Sequence, residues 1–341
     1  MKRLVVGMVV LTMLASIGIA FAQEGLEQES CWYDRVCMSG YFQFRFVDDD
    51  RDGVNNFDLR RGFFTLKGTV DERTTGILTF SRVGPSGNGN DANIDLYNAF
   101  VDYKLSDRYA IQVGQVPTWF GLEAWEGSSV RLPFERAKIL EGGPGFFFAG
   151  ASDRGVWLRR NPEANEPLVV VGLWNGQFRS DDVNDDKNIS LDLKWNKPWG
   201  QFGASWFDGE YYNAATDLTQ DRSAWDVYVR KFAAPWGFQA EYADGEMFGA
   251  DRDGFYLQGM YDLKGDGENV AYARYENFNV DMNPANSAEY DGYTIGLRHK
   301  VYDSSYVTAQ YTDGSWDNVD AGVASSMGED LWGLQWQYSY N

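Results

Sequence analysis

Histidine and cysteine are scarce in this chain: there is one of the first, His299, and two of the second, Cys31 and Cys37. Two thiols and one imidazole cannot complete a zinc tetrahedron, so no metal and no cofactor is expected. A hydrolytic centre needs a nucleophile, a base and an orienting acid at matched depth. No Ser or Asp motif surrounds His299, so catalysis is not expected. The cysteines lie close together ahead of the first strand, and in an oxidising compartment they are expected to form a small-loop disulfide. Bases are also short. Lys and Arg total 30 against 50 Asp and Glu, a net charge of −20, which argues against a nucleic-acid partner. Beyond the N-terminus no apolar run is long enough for a spanning helix.

The N-terminus has the form of a secretion signal. Met1, Lys2 and Arg3 precede an apolar run over residues 4–19, and Ala20, Phe21 and Ala22 make a small-x-small cleavage site. Residues 1–22 therefore read as a cleaved signal peptide, with an N-terminal membrane anchor as the lesser alternative. Cleavage removes two bases and no acid. Residues 23–37 are polar and read as a periplasmic segment, and residues 38–341 read as one β-barrel domain.

What the chain does have is aromatics, at 16% with 13 Trp, and a steady alternation. In the last strand, about 330–340, Trp332, Leu334, Trp336, Tyr338 and Tyr340 share one face. Gly333, Gln335, Gln337 and Ser339 share the other. Side chains alternate across a strand, so one face is greasy and the other small and polar. The first strand, about 38–47, repeats this with Phe42, Phe44 and Phe46 against Gln43 and Arg45. In the fourth, about 94–105, Tyr97, Ala99, Val101, Tyr103 and Leu105 read as outward. About sixteen such segments occur. Short turns alternate with longer polar loops, among them 210–222, 246–253, 279–289 and 314–329. This rhythm predicts an all-β transmembrane antiparallel barrel, apolar toward outer-membrane lipid and polar toward a wet lumen. The soluble alternative is a secreted, Trp-rich β-sandwich that binds carbohydrate. It leaves the apolar outer face on nearly every strand unexplained.

The longest connection, residues 117–150, carries Trp119, Phe120, Trp125 and Phe134. Its charges before Phe146 are Glu123, Glu126, Arg131, Glu135, Arg136, Lys138 and Glu141. A long loop with apolar side chains needs cover, and the barrel interior supplies it. Selective conduction needs fixed charge near the narrowest point. By parity the inward bases are Arg45, Arg61, Lys67, Lys194, Arg230, Arg274, Arg298 and Lys300, with Arg131, Arg136 and Lys138 added by the loop. Inward acids such as Asp102, Asp192, Asp226, Glu241 and Glu276 are expected to pair with them.

Several stretches resemble the phosphate-selective porin O/P family. They are residues 57–68 (FDLRRGFFTLKG), Asp95 ahead of 99–103 (AFVDY), 113–117 (VGQVP), 120–123 (FGLE), 134–137 (FERA) and 153–156 (DRGV). The resemblance covers roughly the first half of the mature chain. It implies a trimeric outer-membrane porin of sixteen strands whose third loop folds into the lumen and narrows it. That loop is 117–150, with Glu123, Trp125, Glu126 and Glu135 at the constriction. The resemblance also points to Arg60 and Arg61 as an anion-binding pair. One departure bears on the solute: a lysine follows Gly-Leu-Glu in the phosphate-binding members, and here Ala124 does. Weak anion preference, weak cation preference and a neutral solute all stay open. The overall acidity does not decide, because charge more than about 8 Å from the constriction is screened in physiological salt. Asp48, Asp50, Asp52 and Gly53 have the spacing of a calcium loop, but Leu59 stands at its twelfth position and supplies no bidentate ligand.

Overall fold

Alternation decides which side chains this chain can hide, and the computed structural model follows it. It describes residues 31–33, 35–49, 54–83, 94–141, 145–146, 152–163, 165–213, 217–283, 286–317 and 330–340. The signal-peptide segment 1–22 lies outside them. The strands are β1 (Cys31–Tyr33), β2 (Val36–Asp49), β3 (Val54–Thr69), β4 (Thr74–Val83), β5 (Asp95–Lys104), β6 (Tyr109–Pro117), β7 (Ser152–Arg160), β8 (Leu168–Trp174) and β9 (Asn188–Lys197). They continue with β10 (Gly200–Asn213), β11 (Leu218–Ala233), β12 (Trp236–Met247), β13 (Ala250–Asp262), β14 (Asn269–Asn283), β15 (Asn286–Tyr302), β16 (Ser305–Asp317) and β17 (Leu331–Tyr340). The loop between β6 and β7 adds one helical turn, α1 (Leu122–Trp125), and a 3-10 turn, Lys138–Leu140.

Each strand from β2 to β17 pairs antiparallel with the next, and β17 pairs back onto β2 with Leu334 opposite Phe46. Sixteen strands thus close on themselves and leave no unpaired sheet edge, which is the condition for a sheet to sit in hydrocarbon. The short β1 adds to β2, where Cys31 stands opposite Cys37, and Cys37 is disulfide-bonded. No helix among the described residues is long and apolar enough to cross a membrane.

Exposure alternates as the residues do. Trp336 is 49% exposed and its neighbour Gln337 3%. Leu257, Ile295, Phe44 and Val113 face outward in the same way, while Gln43, Gln112, Gln258 and Gln335 are buried inward. A belt of exposed aliphatic and aromatic side chains on a closed barrel is stable only against lipid.

Three expectations need correction. The loops read at 210–222, 246–253 and 279–289 are mostly strand. β10 and β11 reach Asn213 and Leu218, β14 and β15 reach Asn283 and Asn286, and β12 and β13 are joined by Phe248 and Gly249 alone. Both of those residues have positive φ, 58° and 75°, the geometry that two-residue hairpins favour. Past the lipid belt both faces of a hairpin are polar, so alternation fades although the ladder continues. Tyr97 does not take the outward place. Thr79 pairs with Asn98 and Phe80 with Leu96, so Tyr97 is the extra residue of a bulge. Its ring packs edge-on against Phe63, whose other neighbour Tyr41 hydrogen-bonds the third loop. Finally, the inner wall is not uniformly polar. Trp157, Trp174, Phe207, Ala243, Tyr256, Phe278 and Tyr290, on β7 to β15, are buried in one apolar cluster with the loop residues Phe120, Ile139, Leu140 and Phe146.

The lipid-facing assignment has a direct check. Leu257→Arg places a charge mid-strand on the outer face and is expected to cost about 2–4 kcal/mol, whereas Leu257→Met is close to neutral. Refolding into detergent micelles, read by heat-modifiable electrophoretic mobility over a urea series, measures both.

Candidate functional site

A loop inside a barrel cannot leave its backbone polar groups unmatched. Residues 118–146 have little regular structure of their own, so partners come from lumen side chains. On one side carboxylates and neutral oxygens take the loop's N–H groups. Gly121 N donates to Ser205 Oγ at 3.0 Å and Leu122 N to Glu241 Oε1. Phe134 N donates to Gln310 Oε1 at 2.9 Å and Lys138 N to Glu276 Oε2 at 2.6 Å. Elsewhere, amides and guanidiniums cap its carbonyls. Gln43 reaches Ser128 O at 2.9 Å, Gln337 reaches Ser129 O at 2.7 Å, and Arg252 reaches Gly145 O at 2.7 Å. Arg298 alone spans the carbonyls of Val130, Arg131 and Leu132.

The loop's acids meet wall arginines. Glu123 is fully buried. It pairs with Arg274 on β14 and accepts from its own chain's Ala137 N at 2.8 Å. Glu126 pairs with Arg230 on β11. Glu135 is shared by three guanidiniums: Arg45 at 2.9 Å, Arg60 at 2.7 and 3.0 Å, and Arg61. Burial pushes the Glu135 carboxyl up, but Arg60, Arg61 and Arg45 outweigh it and hold it well below the ordinary carboxylate range.

How two consecutive arginines reach the same carboxylate follows from the register. Gln43 pairs with Arg61 and Phe44 with Leu59, so Arg60 is the extra residue of a bulge in β3. Strict alternation sends neighbours to opposite faces. The bulge turns both side chains inward, and each is 6% exposed.

At Gly121 the chain approaches the wall more closely than a side chain allows. Its φ is +75°, and a Cβ there meets Glu241 Oε1 at 2.5 Å. Glycine lets the loop backbone lie against β12.

Most bases read as pore-lining are therefore used by the loop. Arg45, Arg60, Arg61 and Arg230 hold its acids, Arg298 holds its carbonyls, and Lys138 pairs with Glu141 at 3.0 Å. Arg136 donates to Glu123 O at 3.2 Å. Lys194 is half-buried on the inner face, and Lys67 is exposed in register with Cys37. The Trp125 side chain lies outside what is described. Of the five inward acids named, Asp102 pairs with a base, Arg159 at 3.2 Å, and the other four make no ion pair among the described residues. Glu241 and Glu276 serve the loop's N–H groups, because an irregular buried backbone competes for the same partners.

Reading by parity missed Arg222, which is fully buried on β11 under Trp174, Phe178 and Tyr211 and caps Gly176 O at 2.6 Å. It stood in a stretch read as loop. The calcium spacing falls mostly on residues outside those described. Within them, Asp48 accepts from Trp332 Nε1 at 2.8 Å, and no metal-binding cluster occurs among the described residues. His299 is exposed and bonds Asn269 at 2.9 Å.

Breaking the Glu123–Arg274 pair leaves a buried guanidinium unmatched. Glu123→Ala is expected to cost about 3–5 kcal/mol, and Glu123→Gln with Arg274→Gln less, by urea unfolding in micelles. Glu135 gives a pH dependence. Its folded pKa is depressed, so its contribution is fully present above the ordinary carboxylate value and is lost as pH falls through the folded one. Single-channel current is expected to be steady from about pH 7 to pH 5, with loop noise appearing only below about pH 4.

With this geometry the chain resembles known barrels. An OmpT of Vibrio cholerae in trimer form, an in-vitro-folded outer membrane protein, aligns with TM-score 0.65 at 14% identity, covering 89% of this chain and 99% of that one. An anion-selective porin from Comamonas acidovorans aligns with TM-score 0.64 at 12% identity, over 89% and 99%. OmpF of Salmonella typhi, in complex with daunomycin, aligns with TM-score 0.67 at 12% identity, over 89% and 97%. At such identities the likeness is one of fold. No curated protein matches the chain. Residues 35–195 match the family described as phosphate-selective porin O and P, which bears out the resemblance read from the sequence, on a barrel with the fold of outer-membrane porins.

Proposed function

We propose that the chain is an outer-membrane porin: a water-filled channel for passive diffusion of small hydrophilic solutes, narrowed by the third loop and mildly preferring anions. Residues 1–22 are then its cleaved signal peptide and 23–37 a periplasmic segment. It works as a homotrimer, in keeping with the trimeric form of the Vibrio cholerae relative. The family match and the fold favour a channel over an enzyme.

The anion preference rests on Arg131. It is 2% exposed, and its three guanidinium nitrogens have no hydrogen-bond partner. Burial and the nearby Arg136 push its guanidinium down from the ordinary value, and Glu123 and Glu135 only partly offset this. A cation so short of counter-charge favours a passing anion. The anion-selective neighbour from Comamonas acidovorans supports the same sign. A cation-preferring pore is the second reading, favoured by Asp192 and Asp226. Both are buried on the inner wall and outside any ion pair among the described residues.

Reversal potentials in a salt gradient test the proposal. The wild type is expected to favour chloride over potassium, and Arg131→Gln to reduce that ratio about twofold, the effect of one unit charge about 8 Å from the ion's path in water. Reversal near zero in the wild type rejects the anion preference, and absence of any conductance rejects the channel.

A further inference from the structure

We propose that Asp226 keeps its proton in the working channel and donates it to Glu241, so that a neutral acid on β11 steadies the carboxylate that carries the first turn of the third loop. Asp226 is then a positioning residue for the loop and adds no charge to the lumen. Only the conductance arm of the test below rests on the porin reading.

The register brings the pair together. Asp226 stands opposite Ala243 on β12, two places from Glu241, so the two side chains are diagonal neighbours on the inner face. They are in hydrogen-bonding contact, with Asp226 fully buried and Glu241 nearly so. Both close on one point of the loop. A Cβ on Gly121 would meet Glu241 Oε1 at 2.5 Å and Asp226 Oδ2 at 3.5 Å. Two carboxylates in such contact away from water cannot both stay charged, and one proton between them turns repulsion into a charge-assisted hydrogen bond.

The donors decide which acid carries the proton. Glu241 accepts from Leu122 N through Oε1 and from Tyr256 Oη at 2.8 Å through Oε2. Two donors favour its charged form. Neither oxygen of Asp226 has a hydrogen-bond donor among the described residues. A charged Asp226 would be a buried anion facing another, whereas a neutral Asp226 gives its O–H to Glu241.

The surroundings supply no base to change this. On β9 stands Asp192, also buried, with Lys194 two places on. On β10 Ser205, in register with both Asp192 and Asp226, accepts from Gly121 N at 3.0 Å. β11 adds Tyr228 and Arg230, β13 adds Tyr256, and the loop adds Glu123. Arg230 is paired with Glu126, and Arg274 on β14 with Glu123. A second negative charge beside Glu241 would repel Glu241 itself, Asp192 and Glu123, and the strain would fall on the Leu122 contact.

Infrared difference spectra of the full-length protein refolded in detergent micelles test the proton, and planar bilayers test its effect. Near neutral pH, wild type minus Asp226→Asn is expected to show the carbonyl stretch of a protonated carboxylic acid, which moves when the solvent is exchanged for deuterium oxide. In bilayers the wild type should develop loop noise in the alkaline range, where the proton leaves. Asp226→Asn, whose amide donates at any pH, should lose that alkaline noise, and Asp226→Ala should be noisy already at neutral pH. A difference spectrum without the acid band rejects the proposal, whether the pair is then held by a sodium ion or by packing alone. If neither Asp226 variant folds, Glu241→Gln replaces the charged acceptor with a neutral one and should shift the band toward that of a weakly bonded acid. No shift there rejects the proposal too. A wild type that shows the band but no conductance overturns the porin reading instead.

Discussion

An irregular loop lies where bulk water cannot freely satisfy its backbone, and the rest of the inner wall answers to that. Every N–H and C=O withdrawn from solvent without a partner costs on the order of a hydrogen bond's desolvation. Here the partners are side chains. Glu241, Glu276 and Ser205 take N–H groups, while Arg298, Arg252, Gln43 and Gln337 give protons to carbonyls. The polar inward face, required in any case of a wet barrel, doubles as the mould for the loop.

That double use changes how the lumen charges should be counted. An inward arginine is not by default a solute contact, since Arg274, Arg230 and the Arg45–Arg60–Arg61 group spend their charge on Glu123, Glu126 and Glu135. The net charge of the chain says even less. What a solute meets is the remainder after internal pairing, not the full count of inward charges. Small substitutions in the loop should therefore move selectivity further than large changes of charge on the outer hairpins.

Much of this barrel was legible because lipid imposes a period of two on every strand that crosses it. Phe42 and Trp336 face out and Gln43 and Gln337 face in, as alternation demands. Legibility stopped where the period stops carrying information. At Arg60 and Tyr97 one inserted residue resets the parity, and nothing local in the sequence marks a bulge. Beyond the belt, hairpins such as β12–β13 pair on in water with both faces polar. The apolar inner patch around Phe207 and Tyr290 exists only because Phe120, Ile139 and Phe146 come from elsewhere in the chain to cover it. Which acid meets which arginine is a matter of three dimensions. Glu123 and Arg274 are 151 residues apart.

Why the loop is held by charges as well as by its apolar cluster follows from what each contact can specify. Phe120, Ile139, Leu140 and Phe146 supply burial, but apolar contacts are non-directional, and a segment without helical or strand periodicity could slide on such a surface. A buried ion pair adds little net stability, since desolvation offsets its attraction, yet a mispaired one is severely penalised. Glu123 on Arg274 and Glu135 on three guanidiniums therefore act mainly against alternative registers: a shift of one residue would leave buried charges on both sides without partners. Apolar packing fixes that the loop is inside, and the ion pairs fix where its residues stand across the lumen.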